Sequence, residues 1–324
     1  MPHIGRLVNV GLAVEATRGA GKAATHWMPK VSFTHQDRKE NAISQAETGG
    51  IWMEGHDAYV VNKFGQGDLE AELSANSFGN IMYATLGACS TAGPTDSAYT
   101  HTFSLDEDSN EHKSLAISVN DPVQDKMFKM AMLETLTINV TLTDIVGFTA
   151  SFMSLPSADS SHTPSYVKDY KFTHKYFTLK LATNTAGLAA ATPVSVTEFS
   201  MTFEKNTELD NILGSVQPDD IHNKGFSIKG EFTIKTDNET YKDYAFDATM
   251  RALRFELTNT DEVIGSGTNP SFRIDLSRVF LESWEIDRPN DDIVTEKIGF
   301  IALVDPTNGN MINDCYIVND TVSY

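Results

Sequence analysis

Between Thr135 and Thr143 the chain alternates apolar and polar residues without a break. Leu136, Ile138, Val140 and Leu142 fall on one side, and Asn139 with the threonines on the other. Only an extended backbone sends successive side chains to opposite faces, so the stretch reads as a half-buried β-strand. Asp68–Leu73 alternates in the same way, with Asp68, Glu70 and Glu72 on the wet face. Ser227–Lys235 follows through Ile228, Phe232 and Ile234, and Leu253, Phe255 and Leu257 alternate with Arg254, Glu256 and Thr258. Helix signals are few. Asn76 or Ser77 can cap a helix carrying Phe78, Ile81, Met82 and Leu86 that stops at Gly87, and a second starts near Asp237 or Asn238 and runs through Tyr241, Tyr244 and Ala245. The fold class is mainly β, with two short α-helices.

These elements recur in order. When Leu133–Val146 is laid over Leu281–Val294 without a gap, Leu133, Glu134, Ile138, Asp144, Ile145 and Val146 each meet their own residue type. Around that anchor, Val31-Ser32-Phe33-Thr34 resembles Phe199-Ser200-Met201-Thr202, and Lys22-Ala23-Ala24-Thr25 resembles Ala189-Ala190-Ala191-Thr192. The strand at Asp68 precedes a helix as the strand at Ser227 does, and Gly147-Phe148 and Gly299-Phe300 are expected to open each copy's last strand. A tandem duplication follows. Its first unit spans residues 1–155, a polar linker bounded by prolines spans 156–164, and the second unit spans 165–305. Residues 306–324 form a polar tail that frays or pairs with a neighbour.

Catalytic and metal-binding patterns fail on inspection. Arg18-Gly19-Ala20-Gly21-Lys22-Ala23 glances at a phosphate-binding loop, but Ala16 stands where the first glycine belongs and Ala23 where the hydroxyl belongs. Gly65-Gln66-Gly67 precedes a strand, the wrong order for a dinucleotide turn. The histidines include no His-Glu-x-x-His, and no Gly-x-Ser-x-Gly elbow occurs. Asp106-Glu107-Asp108 reads as a hairpin tip, and Asp219-Asp220 and Asp291-Asp292 as turns. Cys89 and Cys315 match no metal or redox spacing. The reading is a non-enzyme without cofactor or metal. The formal net charge of −19 argues against gripping DNA, which takes clustered cations. No segment is apolar enough to span a bilayer, and the opening residues give no export signal.

Gly11-Leu12-Ala13-Val14-Glu15-Ala16-Thr17-Arg18-Gly19, followed by Ala23-Ala24-Thr25-His26-Trp27-Met28-Pro29, resembles the opening of bacteriophage tail tube proteins (major tail proteins) of the long non-contractile type. Phe64–Leu69, Phe78–Gly87 and Tyr99–Phe103 resemble the same family's strand, helix and next strand. The resemblance implies two tandem tail-tube-type β-sandwich or barrel units, each with a flanking short helix. It implies rings of six units whose inner strands close into one barrel, stacked into a tube through which genome DNA passes without specific binding. With two units per chain, the expected ring is a homotrimer of pseudo-hexameric symmetry. Expected partners are the chain itself and the tape measure, tail terminator and tail-tip proteins. The expected location is the virion tail, assembled in the host cytoplasm.

Asp68, Glu70 and Glu72, with Glu134 and Glu282 next, are the candidates to face the lumen, where an acidic wall holds DNA off. Arg18, Gly19, Gly21 and Lys22 are candidates for contact between rings, together with the Pro156–Pro164 linker. The competing readings are a virion-surface or secreted β-sandwich adhesin, which needs an export signal, and a carbohydrate-active enzyme, which needs a cleft with paired carboxylates.

Overall fold

The computed structural model describes residues 3–44, 57–109 and 112–324, so Met1 and Pro2, which open the first expected unit and the segment searched for an export signal, lie outside the described residues. The first half runs through β1 (Asn9–Val14), β2 (His26–Met28), β3 (Lys30–Phe33), β4 (Gln36–Ile43), β5 (Ala58–Glu72), α1 (Phe78–Leu86), β6 (Gly87–Thr95), β7 (Ala98–Leu105), β8 (Leu115–Asn120), β9 (Lys126–Thr141), β10 (Gly147–Ser154) and β11 (Ala158–Asp159). The second comprises β12 (Phe177–Ala182), β13 (Pro193–Val194), β14 (Val196–Glu204), β15 (Thr207–Asp210), β16 (Asp220–Asn223), β17 (Ser227–Lys235), α2 (Thr240–Phe246), β18 (Arg251–Thr258), β19 (Ser271–Asp287), β20 (Thr295–Leu303) and β21 (Ile312–Asn319). The expected mainly β class, with two short α-helices among the described residues, is what the chain adopts.

The pairings of one half find counterparts in the other. β1 pairs with β2 and β8, β8 with β9, β9 with β10, β10 with β5, and β5 with β3. In the same sequence β12 pairs with β13 and β18, β18 with β19, β19 with β20, β20 with β17, and β17 with β14. Register breaks fall at matching places. The β9–β10 ladder shifts at Glu134, and the β19–β20 ladder at Glu282. β3 slips against β5 between Lys30 and Ser32, and β14 slips against β17 between Val196 and Glu198. An extra residue on one strand increases its twist. Here it falls close to where β9 passes from pairing with β8 to pairing with β10, and where β19 passes from β18 to β20.

One hydrophobic core runs through both halves. Phe78, on α1, packs its ring 5.0 Å from Phe148 and 5.3 Å from Phe272, in opposite halves. Burial of an aromatic ring stabilises by roughly 2–3 kcal/mol, so contacts of this kind bind the halves strongly. Leu136, Ile138 and Val140 are buried as the alternation requires, but Leu142 is exposed. The strand ends at Thr141, and Thr143 turns with φ 65°.

Two further expectations are corrected, and a third, left between two outcomes, is resolved. Gly299 and Phe300 lie inside β20, which opens at Thr295; Phe300 pairs with Leu281 as Phe152 pairs with Leu133. Arg254 is buried, because Asp275 on β19 receives its Nε and Nη2 at 2.7 Å each. The tail after Asp305 does not fray. β21 joins β19 to β7, burying Cys315 and Ile317, because its apolar residues alternate with Asp314 and Tyr316 and fit a half-covered strand.

Candidate assembly surface

β9 pairs with β14 along Thr135–Thr141 and Glu198–Glu204. That ladder fuses the halves into one antiparallel sheet in the order β3–β5–β10–β9–β14–β17–β20–β19. At one end, β3 and β4 pair only with β5 among the described residues, and from Ser32 to Glu40 they keep a single register against it. At the other, Ser283–Asp287 of β19 pairs only with β20 among the described residues. Both outermost strands therefore carry unpaired backbone donors and acceptors.

One face of this sheet is apolar and packs on the core. The other carries hydroxyls, amides and charges. Asp68, Glu70 and Glu72 share it, as the alternation implied, with Ser151 donating 2.6 Å to Asp68 and Lys171 paired with Glu72. Register places Glu198, Glu204, Glu231, Glu285 and Asp287 on the same face. Lys229 and Lys297 join them, 3.6 Å from Glu204 and 2.9 Å from Glu231. Sequence reasoning passed over those five carboxylates. The signal was available in Val196–Glu204, where Phe199, Met201 and Phe203 alternate with polar residues. Glu134 and Glu282 stand at the two bulges, outside the regular alternation, with Glu134 and Glu204 lining one shallow groove.

The glycine loop after β1 is built around a carboxylate of its own. Glu15, buried at the end of β1, accepts from the backbone N–H of Gly19 at 2.8 Å and of Gly21 at 2.9 Å, from Ser114 Oγ at 2.6 Å, and from the Met130 N–H. Gly19 and Gly21 both sit at φ +73°, which turns successive amides toward one point. Arg18 turns inward: its guanidinium donates to His112 O at 2.8 Å and Ile221 O at 2.6 Å and pairs with Asp220. Of the four loop candidates, Lys22 is the exposed one. The Pro156–Pro164 segment is also tied down, with Ser157 donating to Asp37 and His162 N–H to Asp125 Oδ2 at 2.7 Å.

Close by, Lys205 crosses from the second half to α1 in the first and donates 2.6 Å to Ala84 O. The cation meets the negative end of the helix. Burial, and then the Arg18 charge, pull its pKa down to about 7. No group of metal-holding side chains is found among the described residues, and no helix there is long and apolar enough to cross a membrane.

A large antiparallel sheet with an open strand at each end and a hydrophilic face places the chain among structural β subunits. The family is more specific: a model described as phage tail tube protein matches residues 5–299, and the chain belongs to that family. No curated protein matches it.

Proposed function

We propose that three copies of this chain close one ring of a long, non-contractile phage tail tube, each copy supplying two tube units. The β9–β14 ladder carries the reading. It joins a β9-type edge to a β3-type edge, and the two free edges of the eight-strand sheet are another pair of that kind. Repeating the junction between copies closes both ends of this sheet, whereas unclosed edges invite uncontrolled aggregation. Stacked rings then form the tube. The tape measure, terminator and tail-tip proteins are its further partners.

The hydrophilic face of the sheet, opposite the helices, lines the lumen in this arrangement. Its carboxylates outnumber its lysines, so the wall repels a duplex carrying about one charge per ~1.7 Å of axis. Even weak attraction repeated over many rings would arrest DNA. Negative-stain microscopy of concentrated protein should show rings and hollow tubes, and monodisperse monomers at all concentrations would refute the proposal. Within such tubes, Glu70→Lys with Glu198→Lys should preserve assembly and slow DNA delivery, most strongly at low salt. Delivery at an unchanged rate across salt concentrations would refute the lumen assignment.

A further inference from the structure

The chain contains a filled and an empty version of one binding groove. The short 3-10 turn Gly5–Leu7 precedes β1 as His174–Tyr176 precedes β12. Strand registers make the match residue by residue: Leu12 pairs with Ile117 as Leu181 pairs with Leu253, and Phe33 pairs with Leu69 as Phe199 pairs with Phe232. Gly5, Val8 and Lys30–Phe33 therefore correspond to His174, Phe177 and Val196–Phe199.

In the second half, Val140–Leu142 at the end of β9 closes over those residues, leaving a gap of only ≈ 40 Å³. The β9–β10 turn completes the seal: His174 N–H donates 3.1 Å to Asp144 O, and Ile145 bridges Thr173 as an isolated antiparallel pair. In the first half the matching groove is an open cleft of ≈ 750 Å³.

We propose that the β19–β20 turn of a second copy, Arg288–Val294, fills this cleft. The turn is preformed. Ile293 N–H donates 2.7 Å to the Asp292 side chain, as Ile145 N–H donates 2.8 Å to Asp144. Carried across by the internal match, Ile293 of one copy sits opposite Ile4 of the next. The two side chains are now 56% and 67% exposed. Gly5 N–H donates to Asp292 O, and the β19 edge continues along β3 and β4, with Asp287 opposite Thr34 and Glu285 opposite Gln36. Charge agrees with this docking: Arg6 and Lys30 line the cleft, Arg38 follows on β4, and the incoming segment bears Glu285, Asp287, Asp291 and Asp292 against the single cation Arg288. The occupant is a second copy because its turn matches the segment already seated in the filled groove.

This assignment rests on the ring proposal, and the test separates the two. Directly opposed residues of an antiparallel pair have Cα atoms about 4.5–5.5 Å apart, within disulfide reach. Ile4→Cys with Ile293→Cys, assembled and oxidised, should migrate without reductant as a covalent species of three chains, and neither single variant should. Ile293→Arg should leave the melting temperature of the isolated chain unchanged, since the side chain is exposed, and abolish assembly. If microscopy shows rings of the double-cysteine protein but no cross-link forms, or if Ile293→Arg assembles normally, the turn-in-cleft assignment is overturned while the ring stands. Failure of the unaltered protein to form rings at any concentration would overturn both.

Discussion

The two helices hold the same place in the two halves and meet opposite fates. In α1 every residue but Tyr83 is buried; in α2 none is, and Phe246 stands 73% exposed. Helix propensity does not separate them. What differs is the cover: Asp169 caps the start of α1 through the N–H groups of Asn76 and Ser77 and the Ser77 hydroxyl, and Lys205 meets its end. Tyr324 lies against Gly79 and donates 2.8 Å to Asn76 O. All three covering residues come from beyond the first half. Residues from beyond the first half close over α1, whereas the ring contacts of α2 among the described residues, to Phe232, Trp284 and Arg251, stay within the second half. An asymmetry of this kind is expected of a chain whose second half awaits the next copy.

The sharpest break in the comparison is at the aromatic residues. Phe78→Ala should cost about 3–5 kcal/mol in urea unfolding of the isolated chain, whereas Phe246→Ala should change it by no more than about 0.5 kcal/mol. Equal losses would contradict the difference in cover.

A second contrast concerns β18 and β19. Their buried Arg254–Asp275 pair corresponds in the first half to Ser118 opposite Met127. Removing one partner alone, as in Asp275→Ala, should cost on the order of 3 kcal/mol because Arg254 is left buried and uncompensated. Arg254→Ser combined with Asp275→Met restores the first half's solution and should lose clearly less, as a double-mutant cycle would report.

Lys205 gives the first half a pH dependence. Its folded pKa, about 7, lies below the ordinary lysine value of 10.5, so the unfolded chain holds more protons across that window. Stability should therefore climb as pH rises from 7 toward 9, by no more than about 1.4 kcal/mol per pH unit, and Lys205→Met should lose this increment. His35 works at the other end. Burial against Phe128 and Ser154 takes its pKa down to about 4 from 6.5, so stability should fall as pH drops through that interval. Titration of the denaturation midpoint checks both slopes.

The smallest effect is at the cap. Asp169→Ala should cost about 1 kcal/mol. Asn238→Ala, which removes the 2.9 Å acceptor for Thr240 N–H at the exposed start of α2, should cost less.

Local pattern was legible in the sequence; lateral packing was not. Alternation located β5, β9, β17 and β18 with their buried faces, and Ser77 and Gly87 bounded α1, whose stop is Gly87 at φ 91°. The alternation of Arg254 could not reveal that β19 brings Asp275 beside it, since that contact depends on which strands become neighbours. The glycine loop's composition suggested a free surface, yet the loop's amides are held by Glu15, a residue that reads as an ordinary strand-end carboxylate. Asp68, Glu70 and Glu72 were found through their period, and the carboxylates of β14, β17 and β19 join them only once register is known. The shifted match at Gly299 has a similar origin: the Gly-Phe dipeptide recurs by coincidence, and pairing rather than identity sets the correspondence.

The central claim, that one chain supplies two units of a ring, is tested most directly by cryo-electron microscopy of assembled tubes without imposed symmetry. The account predicts three chains per ring, with the β19 edge of each running along β3 and β4 of the next in a near-repeat of the internal β9–β14 ladder. Six intact chains per ring, or rings whose chains meet through other strands, would contradict it.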